Sequence, residues 1–369
     1  MMYFVRTMPV SQNRRTGIRH YLIPLLIVTA LCFLLYAAFS LHVLASSFFR
    51  NLLAARNAQS ARQFPGPDNS DPLASARVLV QRGSFSDAER SVREYLGAHK
   101  TSASGHFLLG YILFKEVKPQ ASLAEYTKGA KYRIPSAFEL KIVALDHVLL
   151  RNYADADKWL TRAVEQDPND ADTWYCLGRV KYNENRFAEA VNAFQHCLTL
   201  DPKNVKAADN LGLSCAGLDR NDEALAAFKN AIAWQSDASV KNPDPFINIG
   251  ELLLEQNRAG EAVSYLTQAV AIPQEIYRSQ GMAELEPRAH EHLGMAYSRL
   301  NRPREAKAEL EKAVELAPED ARLHYLLGQL YQKMGTHDKA KAEFDRFSSL
   351  SRAQNAASPK KQTIAPSSK

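Results

Sequence analysis

The pattern of apolar positions divides the chain into two unlike parts. From Tyr21 to Ala45 (YLIPLLIVTALCFLLYAAFSLHVLA) there is no Lys, Arg, Asp or Glu, and apolar side chains fall on every face of any helix built there. From residue 69 onward, apolar residues instead return at spacings of three and four, the signature of amphipathic helices with one buried stripe. These helical stretches come in pairs, and the pairs recur along the chain. The pattern predicts an all-α body of helical hairpins behind one uniformly apolar helix.

The 25 residues from Tyr21 to Ala45, rising about 1.5 Å each, reach about 37 Å, which is enough to cross a hydrocarbon core of roughly 30 Å with some tilt. Pro24 lies in the first turn, where its missing N–H costs little. We therefore expect a cationic leader at 1–20, with Arg6, Arg14, Arg15 and Arg19, and a transmembrane signal-anchor helix at 21–45. The leader favours a cytoplasmic N-terminus and an extracytoplasmic body, although Arg50, Arg56 and Arg62 on the far side keep the asymmetry slight. Two alternatives are a body facing the cytoplasm, or cleavage after Val43-Leu44-Ala45 and secretion; against cleavage, the apolar run exceeds the usual length of a signal peptide. Arg14-Arg15 would suit a twin-arginine signal, but Gly17 stands where an aromatic belongs. Residues 46–68, which include Pro65-Gly66-Pro67, read as a juxtamembrane linker, and 355–369 as a disordered basic tail.

The interval between hairpins is 34 residues. In the frame 171–204, Trp174 stands at position four, Leu177-Gly178 at seven and eight, Ala190 at twenty, Phe194 at twenty-four, Cys197 at twenty-seven and Pro202 at thirty-two. One step on come Leu211-Gly212, Ala224, Phe228 and Ala231; one step back come Val143-Ala144, Ala156, Leu160, Ala163 and Pro168. Leu109-Gly110 and Tyr126 mark the frame 103–136, where Ser122 replaces the expected Ala, and 69–102 keeps Ala76, Phe85 and Ala88. After residue 238 the register slips by four, then resumes with Ile249-Gly250, Ala262 and Leu266 in 243–276. A ten-residue insertion at 277–286 precedes 287–320 (Leu293-Gly294, Ala306, Leu310) and 321–354 (Leu327-Gly328, Ala340, Phe344). Small residues at eight, twenty and twenty-seven let the paired helices approach, and Asp-Pro pairs end one hairpin before the next.

This array resembles the tetratricopeptide repeat family. The resemblance implies a right-handed α-solenoid over 69–354, in which hairpins that cannot bury their apolar faces alone stack on their neighbours. It also implies a concave groove lined by first-helix positions two, five, nine, twelve and thirteen. Carried onto this chain, those positions give Phe107, Tyr111, Phe138 and Lys141 in the early frames. The middle frames give Tyr175, Arg179, Tyr182, Asn183, Lys206 and Asp209, and the later ones Glu251, Arg288, Arg299, Arg322 and Tyr325. Mixed aromatic and charged linings suit extended peptides or partner helices. A carboxylate clamp of the kind some relatives use is missing: Lys141 occupies position five, but Leu145 stands at nine and Cys176 at the next six. In the insertion, Gly281 suggests a turn and Pro287 the start of the next hairpin. The insertion itself is either a prolonged second helix or a projecting element that spreads two repeats and adds contact surface.

The charge count then removes one partner class. The net +6 comes from the ends, because residues 1–62 and 355–369 hold ten cations and no acid. The body has 36 basic and 40 acidic residues, so it is not a nucleic-acid-binding body. Chemistry-bearing motifs are wanting as well. His290-Glu291 opens like a zinc-protease helix, but Gly294 stands where the second His belongs, and there is no phosphate loop, Gly-x-Ser-x-Gly or Cys-x-x-Cys. Four cysteines exclude a disulfide scaffold. Cys197 and Cys215 read as small core residues, on helices near enough to permit a disulfide if the body is extracytoplasmic. No cofactor, metal or small-molecule substrate is implied. The expected function is a non-catalytic, membrane-tethered scaffold for other proteins; the alternative is an accessory subunit or assembly chaperone of an envelope enzyme or secretion complex.

Overall fold

A computed structural model of the chain describes residues 71–235, 241–279 and 281–357. The predicted leader, span and linker, and all of the tail except its first three residues, lie outside the described residues. Among the described residues no helix is long and apolar enough to cross a membrane.

The described residues form helices joined by short turns, without strands. In chain order they are α1 (Ala74–Gln81), α2 (Phe85–Ala98), α3 (Ala103–Lys115), α4 (Pro119–Ala130), α5 (Ala137–Leu149) and α6 (Tyr153–Gln166). There follow α7 (Ala171–Asn183), α8 (Phe187–Leu200), α9 (Val205–Ala216), α10 (Asn221–Trp234), α11 (Asp244–Glu255) and α12 (Ala259–Val270). The last are α13 (Gln274–Ser279), α14 (Leu285–Arg299), α15 (Pro303–Leu316), α16 (Ala321–Lys333) and α17 (His337–Ala357). The chain divides into two compact units at Val92, within α2. In the first, Ala76, Val80, Ala88 and Val92 are buried. The second holds seven hairpins, α3–α4 through α16–α17, and from α4 onward the second helix of each packs on the first helix of the next. Each predicted frame from 103–136 onward is therefore one hairpin.

The helix boundaries follow from side chains. Asp170, Asn204 and Asp320 each cap a first helix by accepting a backbone N–H, and Ser136 with Glu139 forms a reciprocal capping box on α5. Asp167, Asp201 and Ala317, each followed by Pro, are the C-caps of α6, α8 and α15.

Position eight explains the register. A Cβ added to Gly178 would lie 2.6 Å from the Phe194 ring, and one at Gly212 would lie 2.5 Å from that of Phe228. The same position-eight glycine meets Leu266 from Gly250 and Phe344 from Gly328. Where position twenty-four is Leu160, Ala144 fills position eight and is fully buried. Ser122 belongs at its small-residue position because its hydroxyl donates to the Gly110 carbonyl across the crossing, at 2.8 Å.

A second period was not read from the sequence. Residues Gly83, Val117, Arg151, Asn185, Asp219, Asn257, Asn301 and Gly335 all have φ between 56° and 77°. Each stands at position fifteen of its frame, one left-handed residue turning every hairpin. Gly, Asn and Asp adopt this conformation readily; β-branched Val117 does so at a cost.

The insertion matches its expectations only in part, since Met282 within it does add contact surface to a cleft of the array. It is not a prolonged helix, since α12 ends at Val270 and the short α13 follows separately. Nor does it spread the repeats, since α14 packs directly on α12 and α11. Tyr277 is the reason. Its ring is fully buried and its hydroxyl donates to the Ala269 carbonyl at 2.8 Å. Pro287 does not start the next helix either; α14 begins at Leu285, and Pro287 is its third residue. Cys176, Cys197 and Cys215 are free thiols, so the disulfide is not formed.

Candidate partner-binding site

In the early frames the groove positions are largely consumed by the array. Phe107 is 3% exposed; its ring fills the space over Gly129 and lies beneath the Arg133 guanidinium at 4.5 Å. Lys141 is equally buried, and its ammonium donates to Asp170 at 2.8 Å and Asp172 at 2.9 Å. Burial alone would lower its pKa, but Asp172 and Asp170 together hold it above the ordinary lysine value. Because Asp170 also caps α7, this bridge ties one repeat to the start of the next. Tyr111 and Phe138 remain half-buried and pack ring to ring at 5.6 Å.

The middle frames differ. Tyr175, Arg179, Tyr182, Lys206, Asp209 and Arg288 converge from three hairpins on one cleft of about 420 Å³, to which a fourth adds Asp244 and Asn248. Arg179 and Lys206 are exposed there; Asp244, also in the wall, feels the Lys206 charge, which works against the burial that raises its pKa. The guanidinium of Arg179 sits 6.0 Å from the Tyr175 ring centre. Asp209 forms part of the wall, 4% exposed, and accepts from the Asn248 amide at 3.0 and 3.2 Å. Burial raises its pKa to about 7, with the Asn248 hydrogen bond opposing. The Asn248 carbonyl accepts from Arg288 at 3.2 Å, and Arg288 pairs with Glu251. A polar chain thus runs across three repeats along the cleft. His292 lies beyond Glu251, 3.8 Å from its carboxylate, with burial pressing its pKa down to about 4. Asn183 is exposed at the end of α7.

The remaining predicted positions lie elsewhere. Arg299 donates to the Leu254 carbonyl and lines a separate depression with Asn257 and Arg258. Arg322 pairs with Glu291 and, with Tyr325, lines a shallow site against Phe347. The structure therefore gathers six of the fifteen candidates into one cleft.

That cleft has further walls. Asn210 and Asn248 stand at position six of successive frames and Asn242 in the four-residue slip, while Met282 comes from the insertion. The two position-six asparagines were legible, since they repeat in register. Met282 was not, because no period extends through the insertion.

The stacked hairpins, a crossing sealed by a small residue at position eight, and a polar cleft on the first helices define a helical-repeat protein. The comparisons with known proteins give the family. Residues 73–137 and 299–354 match tetratricopeptide-repeat families, and residues 150–231 match the family described as anaphase-promoting complex, cyclosome, subunit 3. The chain belongs to the tetratricopeptide repeat family. Over 74 residues it is 35% identical to the PEX5-related protein of Mus musculus, covering 20% of this chain and 13% of that protein. Over 104 residues it is 30% identical to the peroxisomal targeting signal receptor of Komagataella phaffii, covering 27% and 18%. The chain thus matches less than a fifth of the length of either relative. The C-terminal part of a TPR repeat-containing protein from Cytophaga hutchinsonii superposes with a TM-score of 0.53 at 14% identity, covering 69% of this chain and 99% of that one. That likeness is one of fold.

Proposed function

We propose that the chain is a non-catalytic scaffold, tethered to a membrane through residues 21–45, that captures an extended segment of a partner protein in the cleft of α7, α9, α11 and α14. The observation that carries this reading is the convergence of Arg179 and Lys206, both exposed, beside the rings of Tyr175 and Tyr182. Half-buried aromatics supply contact area at small entropic cost, and exposed cations select an acidic segment. Asn210, half-buried in the wall, gives its amide N–H to the Lys206 carbonyl and leaves its side-chain oxygen for a peptide N–H. Capture of a peptide signal would be in keeping with a relative that is itself named as a targeting signal receptor.

The test is panning of a random peptide display library against the detergent-solubilised full chain. Enriched sequences should be rich in Asp and Glu, and the double variant Arg179→Ala/Lys206→Ala should lose their retention. Enrichment indifferent to that variant would remove the cleft from the function. Co-purification from membranes separates the two functional classes: varied clients fit the scaffold, and one stoichiometric complex fits an accessory subunit.

A further inference from the structure

Three links between hairpins in this array are acidic or polar and built around Pro: Asp167-Pro168-Asn169-Asp170, Asp201-Pro202-Lys203-Asn204 and Ala317-Pro318-Glu319-Asp320. The link from α4 to α5 departs from that pattern. It reads Lys131-Tyr132-Arg133-Ile134-Pro135, with no acid in it. It also exposes what folding normally hides. Ile134 is 81% exposed, the most exposed large apolar side chain among the described residues, and Tyr132 is 53% exposed.

The link is held, not loose. The backbone N–H groups of Tyr132 and Arg133 donate to the Gly129 carbonyl at 3.0 and 3.2 Å. The Arg133 guanidinium is fixed over Phe107 and donates to Glu139 at 2.5 Å. Lys128, one turn before the link, pairs with Glu125 at 2.7 Å. The carboxylates here face inward: Glu125 and Glu139 are only 9% and 14% exposed, whereas Lys128 and Arg133 are 54% and 43% exposed and Lys131 is open to solvent. The outward face is therefore cationic, with one aromatic and one aliphatic side chain projecting from it, although the body as a whole is mildly acidic.

We infer that residues 128–134 form a contact with an anionic lipid surface. Cations beside a membrane gain from the negative surface potential. A tyrosine ring suits the headgroup layer, and a bare aliphatic side chain the acyl boundary beneath it. The inference rests on the tether proposed above. If residues 21–45 are inserted, residues 46–70 cannot stretch beyond roughly 90 Å even at full extension, so the array stays at high local concentration near one leaflet. A weak interfacial contact is then sufficient to orient it.

The experiment uses the full chain in vesicles of phosphatidylcholine carrying brominated acyl chains, with and without phosphatidylglycerol. Ile134→Trp places a fluorophore at the tip, against three native tryptophans; Asn169→Trp, on an ordinary link, is the reference. The emission added at position 134 should be lost to bromine quenching in anionic vesicles and kept in neutral ones, while Asn169→Trp stays bright in both. Adding Lys131→Glu to Ile134→Trp should restore the emission. Helical melts matching the parent confirm folding, which an exposed site should leave intact. A chain that floats with the vesicles yet shows no quenching at 134, or quenching equal to that at 169, overturns the lipid contact alone. Quenching untouched by Lys131→Glu, or equal in neutral vesicles, overturns the anionic headgroup. A chain that does not float overturns the tether, and the contact with it.

Discussion

Position five of the first helix is occupied by Lys141 in the hairpin α5–α6 and by Asp209 in α9–α10, and the two regions use it in opposite ways. Lys141 has acids waiting on the next repeat, so its charge is spent joining hairpins. Around Asp209 the next repeat offers the Asn248 amide, and the nearby cations Arg179 and Lys206 are left to solvent. A groove position is thus available to a partner only when the neighbouring repeat does not already answer its charge. Repeat register places a side chain; the adjoining frame decides what it does.

The sharpest way to break this comparison is to exchange the roles. Lys141→Met should destabilise the fold by about 2–3 kcal/mol, because it leaves Asp170 partly buried without its cation. Lys206→Met should shift stability by no more than about 0.5 kcal/mol while weakening retention of acidic peptides. Urea melts and the peptide assay read the two effects, and equal destabilisation would erase the distinction between the regions.

Packing underlies both regions. Gly178→Leu drives a side chain into the Phe194 ring and should cost about 1–3 kcal/mol by overpacking, with adjoining repeats loosening before the array ends. A melt altered by less than about half a kilocalorie would count against the frame. By the same reasoning, removal of 277–286 to restore the period should destabilise the array rather than leave it intact, since Tyr277 leaves its core with the deletion.

The two regions also each hold a carboxyl that resists ionisation. Burial raises both Asp146 and Asp209 to about 7, with the Asn248 hydrogen bond opposing at Asp209. Neither Asp146 oxygen reaches a hydrogen-bond partner among the described residues. Folded-state values above the unfolded ones mean that the folded chain keeps protons which the unfolded chain releases. Stability should therefore fall as pH rises from about 4 to about 7. Asp146→Asn removes one of the two contributions and should gain about 1–2 kcal/mol at pH 8. If the variant's pH profile keeps the parent's slope, Asp146 is not the titrating group.

The smallest effect concerns the hairpin turns. Val117→Gly relieves a β-branched residue at φ 59° and should stabilise by about 1 kcal/mol. Asn185→Gly, where the native residue already tolerates that conformation, should gain less than half as much.

The hairpins were legible in the sequence because their determinants are local and periodic: small residues at eight and twenty, bulky ones at twenty-four, and Pro where one hairpin gives way to the next. The cleft was legible only in part. Tyr175, Arg179 and Lys206 carried over by register, but so did Phe107 and Lys141, whose fates depend on Gly129 and Asp170, outside the set of groove positions. The insertion was misread because the burial of Tyr277 depends on tertiary packing against Ala269 and its neighbours, which leaves no trace in periodicity.

The left-handed residue at position fifteen has a consequence for how such a chain can change length. Both departures from the 34-residue interval, the four residues after 238 and the ten at 277–286, fall between a second helix and the following first helix. None falls at the corner inside a hairpin, where a single αL residue fixes the turn and an added residue would rotate the second helix off its partner. The corners act as punctuation and the joints between hairpins as spacing. Grafts, loop exchanges and reporter insertions should accordingly be accepted at the joints and rejected at the corners, which makes each hairpin the smallest unit this molecule can gain, lose or trade.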